Sequence, residues 1–377
     1  MKKRVLTGLP LALLCLSGSS HAQSTVTLYG LLDSAVAYIS NSGGHSLIKQ
    51  ASGTLFGNRW GLLGSEDLGG GMKAIFTLEN GFNLSNGTLG QNGRMFGRQA
   101  FVGLSVNPVG TITMGRQYFV NYVGPLSLNG TFGGGGPASH PYDNDNLDGS
   151  LRSNNSVKFE SIHGGFKFGG LYGFSNSTNF ADSRVYSFGA SYAVGALTVA
   201  AGYFQLNNGG SSTNTAGAVA TGDAVFYAGR QRTWTAGANY QVGPVLLGAV
   251  FSQTWLKDGT AIGASASGAS SNLPLSDPSA RFTNYEVNAH YTLAPQWLLA
   301  GAYTFTDARL NGASPKYNQI TGQIDYLFSK RTDVYLEGVY QHVSNVGNSG
   351  ITADIPGFSR SSSGNQALVE IGIRQRF

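Results

Sequence analysis

Side chains that commonly transfer protons or bind metal ions are few in this chain of 377 residues. Its six histidines fall neither in the HExxH pattern of zinc enzymes nor beside a GxSxG nucleophile turn. The isolated loop histidines His45 and His140 are therefore interpreted as surface residues rather than catalysts. The one cysteine, Cys15, lies in an apolar N-terminal stretch, so the sequence predicts neither an enzyme active site nor a cofactor.

The acidic residues are densest in one short stretch, "DNDNLD", at residues 143–148. Its carboxylates belong to Asp143, Asp145 and Asp148. Two interpretations stay open for them. Either the carboxylates face basic side chains elsewhere in the fold, or they are solvated or bind a divalent cation, which prefers oxygen ligands. The choice depends on the elements that position this stretch.

The first 22 residues have the pattern of a cleaved secretory signal. A basic start, Lys2–Arg4, precedes a short apolar stretch, and "SHA" at residues 20–22 matches the small-residue cleavage rule. We therefore expect residues 1–22 to be removed and the mature chain to begin at Gln23. Loss of three basic residues lowers the formal net charge from +5 to about +2, so no nucleic-acid partner is implied.

Beyond the signal, hydrophobic residues recur at every second position, which is the period of a β-strand. In residues 71–82, for example, Met72 and Phe76 fall on one face, while Lys73 and Glu79 fall on the other. About sixteen such segments, each of roughly 9 to 13 residues, follow one another along the chain. None of them approaches the run of about 18 apolar residues that a transmembrane helix needs.

The connections between these segments alternate between tight turns and long loops. The long loops are rich in Gly, Ser and Asn and cover residues 39–55, 84–93, 117–151, 206–230, 257–280 and 344–365. Strands of about ten residues with one apolar face favour a membrane barrel over a β-sandwich, whose strands are shorter. The sequence thus predicts an all-β fold for residues 23–377, a 16-stranded antiparallel transmembrane β-barrel.

The longest loop, residues 117–151, is predicted to fold inward. A barrel of sixteen strands encloses an aqueous lumen, which an inward loop would narrow. The run of four glycines at 133–136, together with Pro125, Pro137 and Pro141, suits a segment laid against the wall. Because structureless loops longer than about 15 residues are usually functional or disordered, the alternative is a loop that stays outside the barrel.

The C-terminal stretch "LVEIGIRQRF" also alternates. Val369 and Ile371 fall on the apolar face, while Glu370 and Arg374 fall on the lumen face. We expect this stretch to be the sixteenth strand, ending at Phe377 and closing the sheet against the first strand.

Several motifs resemble those of a known family. They are "STVTLYGLLD", "NRWGLLGSEDLGGG", "FGRQAFVGLS", "TMGRQY", "RSNNSVKFES" and the terminal Phe377. Together they resemble the general diffusion porins of Gram-negative outer membranes, in particular the β-proteobacterial branch that includes Burkholderia, Bordetella and Neisseria. The resemblance implies short periplasmic turns, long extracellular loops and a homotrimer in contact with lipid and lipopolysaccharide. It also implies a water-filled channel for passive diffusion of small hydrophilic solutes and ions.

The resemblance further implies a pore constriction, in which three wall arginines face acids on the inward loop. The matching residues are Arg59, Arg98, Arg152, Asp143, Asp145 and Asp148. Alternation supports Arg152, which shares its face with Lys158 and Glu160, but it groups Arg98 with the apolar Ala100. Without the family match, these arginines could instead anchor lipopolysaccharide phosphates at the rim. Side chains on the inward parity are predicted to line the pore at Lys158, Glu160 and Lys73.

Two other functions compete with general diffusion. A substrate-specific channel would carry a row of aromatic side chains on its inner face, whereas the aromatic residues here fall mostly on the apolar face. A barrel enzyme of the outer membrane would need a nucleophile or acid beside a histidine at the rim, and the sequence contains no recognisable pattern of that kind.

Overall fold

The computed structural model describes residues 24–128, 136–264 and 272–377. The predicted signal peptide, residues 1–22, and residues 129–135 of the predicted constriction loop lie outside the described residues. In the described part of the chain, no helix is both long enough and apolar enough to cross a membrane.

Strands account for nearly all of the regular structure. In chain order they are β1 (Thr25–Ser42), β2 (His45–Ser52), β3 (Arg59–Gly69), β4 (Met72–Gly81), β5 (Gln99–Val106), β6 (Gly110–Tyr118), β7 (Arg152–His163), β8 (Phe166–Gly173), β9 (Val185–Val194), β10 (Leu197–Gly209), β11 (Phe226–Val242), β12 (Val245–Ile262), β13 (Leu273–Pro274), β14 (Ser279–Ala294), β15 (Trp297–Arg309), β16 (Lys316–Leu327), β17 (Thr332–Ser344) and β18 (Asn365–Arg376). Short helical turns occur at Gly90–Gly93, Gly124–Leu126, Gly136–Ala138 and Pro141–Asp143.

Sixteen of the strands formed by the described residues close into an antiparallel barrel. The other two are β2, which pairs with the distal half of the long β1, and the two-residue β13. On one side β1 pairs with β18, and on its other side it pairs with β3 and then β2. The predicted 16-stranded antiparallel barrel is therefore confirmed.

The predicted loop at residues 39–55 is wrong for most of its length. There β1 continues to Ser42, turns at Gly43 and Gly44, and returns as β2. Both glycines have positive φ, 64° and 107°, a conformation that glycine adopts without steric cost. The polar stretch around this turn lacks a clear alternation, so its hairpin could not be distinguished from a loop.

The two faces of the barrel differ as the alternation predicts. On β18, Ile371 is 61% exposed on the outer face, while its neighbour Glu370 is 0% exposed on the inner face. Large apolar side chains exposed in this way include Val36, Tyr38, Phe188, Trp234, Tyr285, Val287, Ile320, Ile371 and Ile373. An apolar outer band with aromatic residues and a polar interior is the pattern of a transmembrane barrel.

The last residue completes the seam of the barrel. The backbone amides of Gly30 and Phe377 each donate a hydrogen bond to the other residue's carbonyl, both at 3.0 Å. The Phe377 ring lies over Gly30, where any added Cβ would collide with it. On the inner face, Arg374 forms ion pairs with Asp333 at 2.8 Å and Asp325 at 3.2 Å. The C-terminal stretch is thus a barrel strand, as predicted.

Deletion of Phe377 is expected to lower the yield of folded barrel several-fold, because two seam hydrogen bonds and the ring over Gly30 are lost together. Heat-modifiable mobility in SDS gels measures that yield. Phe377→Tyr serves as the control and should fold normally. Channels that do assemble without Phe377 should keep their conductance, since the residue lies on the outer face. A normal folded yield after the deletion would contradict this assignment.

Candidate pore constriction

The loop 117–151 leaves the wall at a disruption in the pairing of β6 with β7. Gly115 has φ 140° and Asn155 has φ 50°, and the register shifts between Gly115 and Gln117. Beyond the shift, the Val120 amide donates to Ser187 Oγ of β9 at 3.0 Å. The chain has therefore left β7 and reached the inner face of a more distant strand.

The loop is anchored to the inner wall at several points. The Leu128 amide donates to Glu286 of β14 at 2.8 Å, and Thr254 of β12 donates to the Asn144 carbonyl at 2.9 Å. Gln319 of β16 donates to the Ala138 carbonyl at 3.0 Å. The prediction of an inward-folded third loop is therefore confirmed for residues 117–128 and 136–151.

A further anchor is a buried ionic contact centred on His140, so the prediction of a surface residue is wrong for this histidine, which lies between two carboxylates. Its Nδ1 lies 2.6 Å from Asp145 and its Nε2 lies 3.0 Å from Glu286, and Ser252 Oγ also donates to Asp145. Burial alone would lower the pKa of His140, but the Asp145 and Glu286 carboxylates outweigh it and raise that pKa to about 10. Asp145 is thus directed at the barrel wall rather than at the arginines.

Arg98 is held inside the lumen by Glu79. Its Nε donates to Glu79 Oε1 at 2.8 Å, and Glu79 also accepts a hydrogen bond from Tyr29 at 2.8 Å. Arg98 precedes the first residue of β5, Gln99, so strand alternation does not determine where its side chain points. This explains why the sequence pattern grouped it with outward residues.

Arg59 and Arg152 contact aromatic rings instead of carboxylates. The Arg59 guanidinium lies 5.8 Å from the centre of the Phe56 ring, and that of Arg152 lies 4.5 Å from the centre of the Tyr118 ring. Arg152 also donates to Tyr118 Oη at 2.9 Å. Among the described residues, neither arginine forms an ion pair with an acid. Neither guanidinium is therefore held by a direct ion pair, and acids act on the two charges only over a longer distance.

Two acids of the loop lie on the side of the lumen that Arg152 occupies. Asp143 accepts hydrogen bonds from the amides of Asp148 at 3.1 Å and Ser150 at 3.2 Å. Burial raises the pKa of Asp143, and the neighbouring Asp148 carboxylate adds to the rise. Asp148 is exposed to the lumen, and the Gly136 amide, Arg152 and Arg98 favour its ionised form. In the described part of the chain, no three acidic, histidine or cysteine side chains are arranged to hold a metal ion.

Two cavities inside the barrel share some of their lining residues, which are called the shared ring below. The residues that line both include Thr54, Gly136, Asp148, Ser150 and Arg152. A Cβ on Gly136 would collide with the Thr54 carbonyl, so the loop reaches across to the connection between β2 and β3. The structure thus brings Arg152 and Asp148 to one ring of residues.

Three further segments enter the lumen, and the sequence pattern did not indicate any of them. They are the β2–β3 connection at residues 53–58, the loop at 210–225 and the loop at 345–364, each with buried side chains. From the second, Asp223 pairs with Arg94 at 2.8 Å and with Arg116 at 3.1 Å. Asp223 lies more than 100 residues from both arginines, so only the folded chain shows the contact.

The predicted pore-lining residues lie on the inner face, away from the shared ring. Lys158 pairs with Glu160 at 3.2 Å, and Tyr122 of the loop donates to Glu160 at 2.8 Å. Lys73 lies opposite Asp67, beside the two-residue turn between β3 and β4. Their positions follow the alternation that predicted them.

A closed barrel with an apolar outer band and a polar lumen narrowed by an inward loop defines an outer-membrane channel. The family model described as "Gram-negative porin" matches residues 10–348, and the chain belongs to this family. It is therefore a channel for passive diffusion across the outer membrane.

Known relatives agree with this family. An outer membrane porin of Bordetella pertussis is 29% identical over the whole of both chains. Outer membrane porin protein 32 of Delftia acidovorans is 30% identical, with 68% of this chain and 71% of that protein covered. Both are in the β-proteobacterial branch. Among solved structures, an anion-selective porin from Comamonas acidovorans shares the fold, with a TM-score of 0.73, 24% identity and coverage of 94% of this chain and 100% of that one.

The His140 contact predicts a pH-dependent anchoring of the loop. Because the pKa of His140 is raised from 6.5 to about 10, its stabilising charge is fully present below pH 6.5 and is lost as the pH rises through 10. His140→Gln should therefore lower the thermal unfolding midpoint in detergent at pH 6.5, and the difference from wild type should shrink above pH 10. His45→Gln, at an exposed site on β2, is the matched control. A difference that stays constant across this range would contradict the assignment.

Proposed function

We propose that this porin narrows at the ring of Thr54, Gly136, Asp148, Ser150 and Arg152, and that its constriction favours anions. The proposal rests on a difference between the arginines in ion pairing. Arg98 is paired with Glu79, whereas Arg59 and Arg152 form no ion pair with an acid among the described residues. Rings of charged side chains at a narrow point determine which ions pass.

The loop acids do not cancel this charge. Asp145 is committed to His140 at the wall, and burial favours the neutral form of Asp143. Asp148 is the remaining loop acid and lines both cavities together with Arg152, so one carboxylate is set against the two arginines that have no ion pair. The similar Comamonas porin is named anion-selective, which supports the same preference here.

The wider assignments belong to the same proposal. Residues 1–22 act as a cleaved signal peptide, and N-terminal sequencing of the mature protein, with Gln23 as the expected first residue, tests this. The mature barrel forms a homotrimer in contact with lipid and lipopolysaccharide, and chemical cross-linking of native membranes tests the subunit number. The protein carries no catalytic activity of its own; its histidines occupy wall and loop contacts such as that of His140 with Glu286.

Arg152→Ala is expected to raise single-channel conductance and to lower the anion-to-cation permeability ratio by a few fold, because it removes a charge that no ion pair offsets. Reversal potentials in planar bilayers under a salt gradient measure the ratio. Lys158→Ala is the matched control: Lys158 is already paired with Glu160 and lies away from the ring, so its removal should change the ratio far less. An unchanged reversal potential for Arg152→Ala would contradict the charged-constriction proposal.

General diffusion and substrate-specific transport are separated by solute uptake. Proteoliposomes containing the wild-type protein should swell at rates that fall smoothly with solute size, because the shared ring has no closed pocket for one ligand. Liposomes without protein provide the baseline. Saturable uptake of a single sugar or carboxylate would favour the substrate-specific alternative instead.

A further inference from the structure

The ring of Tyr118 lies between two of the three arginines. The Arg152 guanidinium is 4.5 Å from the ring centre, and the Arg98 guanidinium is 5.9 Å from it. Arg152 additionally donates to Tyr118 Oη at 2.9 Å. Tyr118 is therefore in contact with one arginine that has an acid partner and with one that has none.

An aromatic ring in this place offsets two unfavourable contributions to the position of an arginine side chain. Two guanidinium groups repel each other, and an arginine side chain loses roughly 2 kcal/mol of rotamer entropy when it is fixed in one conformation. Ring faces attract cations within about 6 Å of their centre. Both guanidinium groups lie within this range of the Tyr118 ring, so the ring attracts both of them.

Both sides of the contact are positioned by the fold. Arg98 is fixed by its ion pair with Glu79 at 2.8 Å. Tyr118 and Arg152 are directly opposed in the last pair of the β6–β7 ladder, beyond the register shift.

Arg152 has few other restraints. Within the described residues, its only hydrogen bond besides that to Tyr118 is donated from Nη1 to the Ser150 carbonyl at 3.1 Å. Since the position of this guanidinium within the shared ring sets the local field, the residue that holds it also influences ion selectivity.

We propose that Tyr118 is a positioning residue for ion selection, holding the Arg152 guanidinium extended into the constriction. This inference rests on the charged constriction proposed above. Tyr118 itself carries no charge to the permeating ion; it acts through Arg152, and its effect should vanish when Arg152 is absent.

A double-mutant cycle in planar bilayers tests the inference. The variants are Tyr118→Leu, Tyr118→Phe, Arg152→Ala and the pair Tyr118→Leu with Arg152→Ala. Tyr118→Leu should shift the reversal potential toward cations by roughly half of the Arg152→Ala shift or more, and the double variant should match Arg152→Ala alone. Tyr118→Phe, which keeps the ring and loses only the hydroxyl acceptor, should shift it less than Tyr118→Leu.

Tyr122 offers a matched control in the same loop. Lys167 lies 4.6 Å from the centre of its ring, and its hydroxyl donates to Glu160, but it lies away from the shared ring. Tyr122→Phe should leave the reversal potential unchanged. If Tyr118→Leu does not fold, Tyr118→Phe and its double variant with Arg152→Ala complete the same cycle.

The outcomes separate this inference from the proposal beneath it. If Arg152→Ala shifts the reversal potential and neither Tyr118 variant does, the positioning role is wrong and the charged constriction stands. If the double variant shifts further than Arg152→Ala, Tyr118 acts independently of Arg152 and the inference is overturned. If Arg152→Ala itself does not change the reversal potential, the charged-constriction proposal is contradicted, and the Tyr118 inference that rests on it is contradicted as well.

Discussion

The structure depends on closure of the sheet by the pairing of β1 with β18. In hydrocarbon, an unpaired backbone amide or carbonyl costs several kcal/mol, so a membrane sheet cannot have a free edge. The pairing runs from Leu31 opposite Arg376 to Ile39 opposite Leu368, and the hydrogen bonds between Gly30 and Phe377 extend it to the last residue. Alternation of apolar and polar residues follows from this closure, because each strand then separates lipid from lumen.

Closure at sixteen strands produces a lumen that side chains of the wall alone do not fill. Segments of backbone fill it instead. The inward loop places Tyr142 against Phe282 of β14 and Tyr317 of β16, with ring centres 6.1 and 6.4 Å apart, so an apolar cluster forms inside a polar tube. That cluster, together with the His140 contact, fixes one wall of the passage. The opposite wall is then free to carry the arginines.

The features that follow local periodicity could be predicted, and those that depend on long-range contacts could not. Alternation correctly gave the strands and the lumen face of Glu370 and Arg374. It failed for the β1–β2 hairpin, whose polar residues leave no face to recognise, and for Arg98, which precedes its strand. The contacts of His140 with Asp145 and Glu286, and of Asp223 with Arg116, join residues more than 100 positions apart in two of these three cases, beyond the range of any sequence period.

The selectivity of such a passage depends on unpaired charge rather than on the number of arginines. At an effective dielectric constant of 20, a unit charge about 4 Å from an ion contributes roughly 4 kcal/mol, whereas exposed charges beyond a Debye length of about 8 Å are largely screened. The small net charge of the whole chain therefore matters little. Arg98 adds little to the field at the ion because it is paired with Glu79. Arg374 adds little because it is paired with Asp333 and Asp325. On the charged constriction proposed above, Arg152 would contribute most to the local field, because its guanidinium contacts an aromatic ring and forms no ion pair among the described residues.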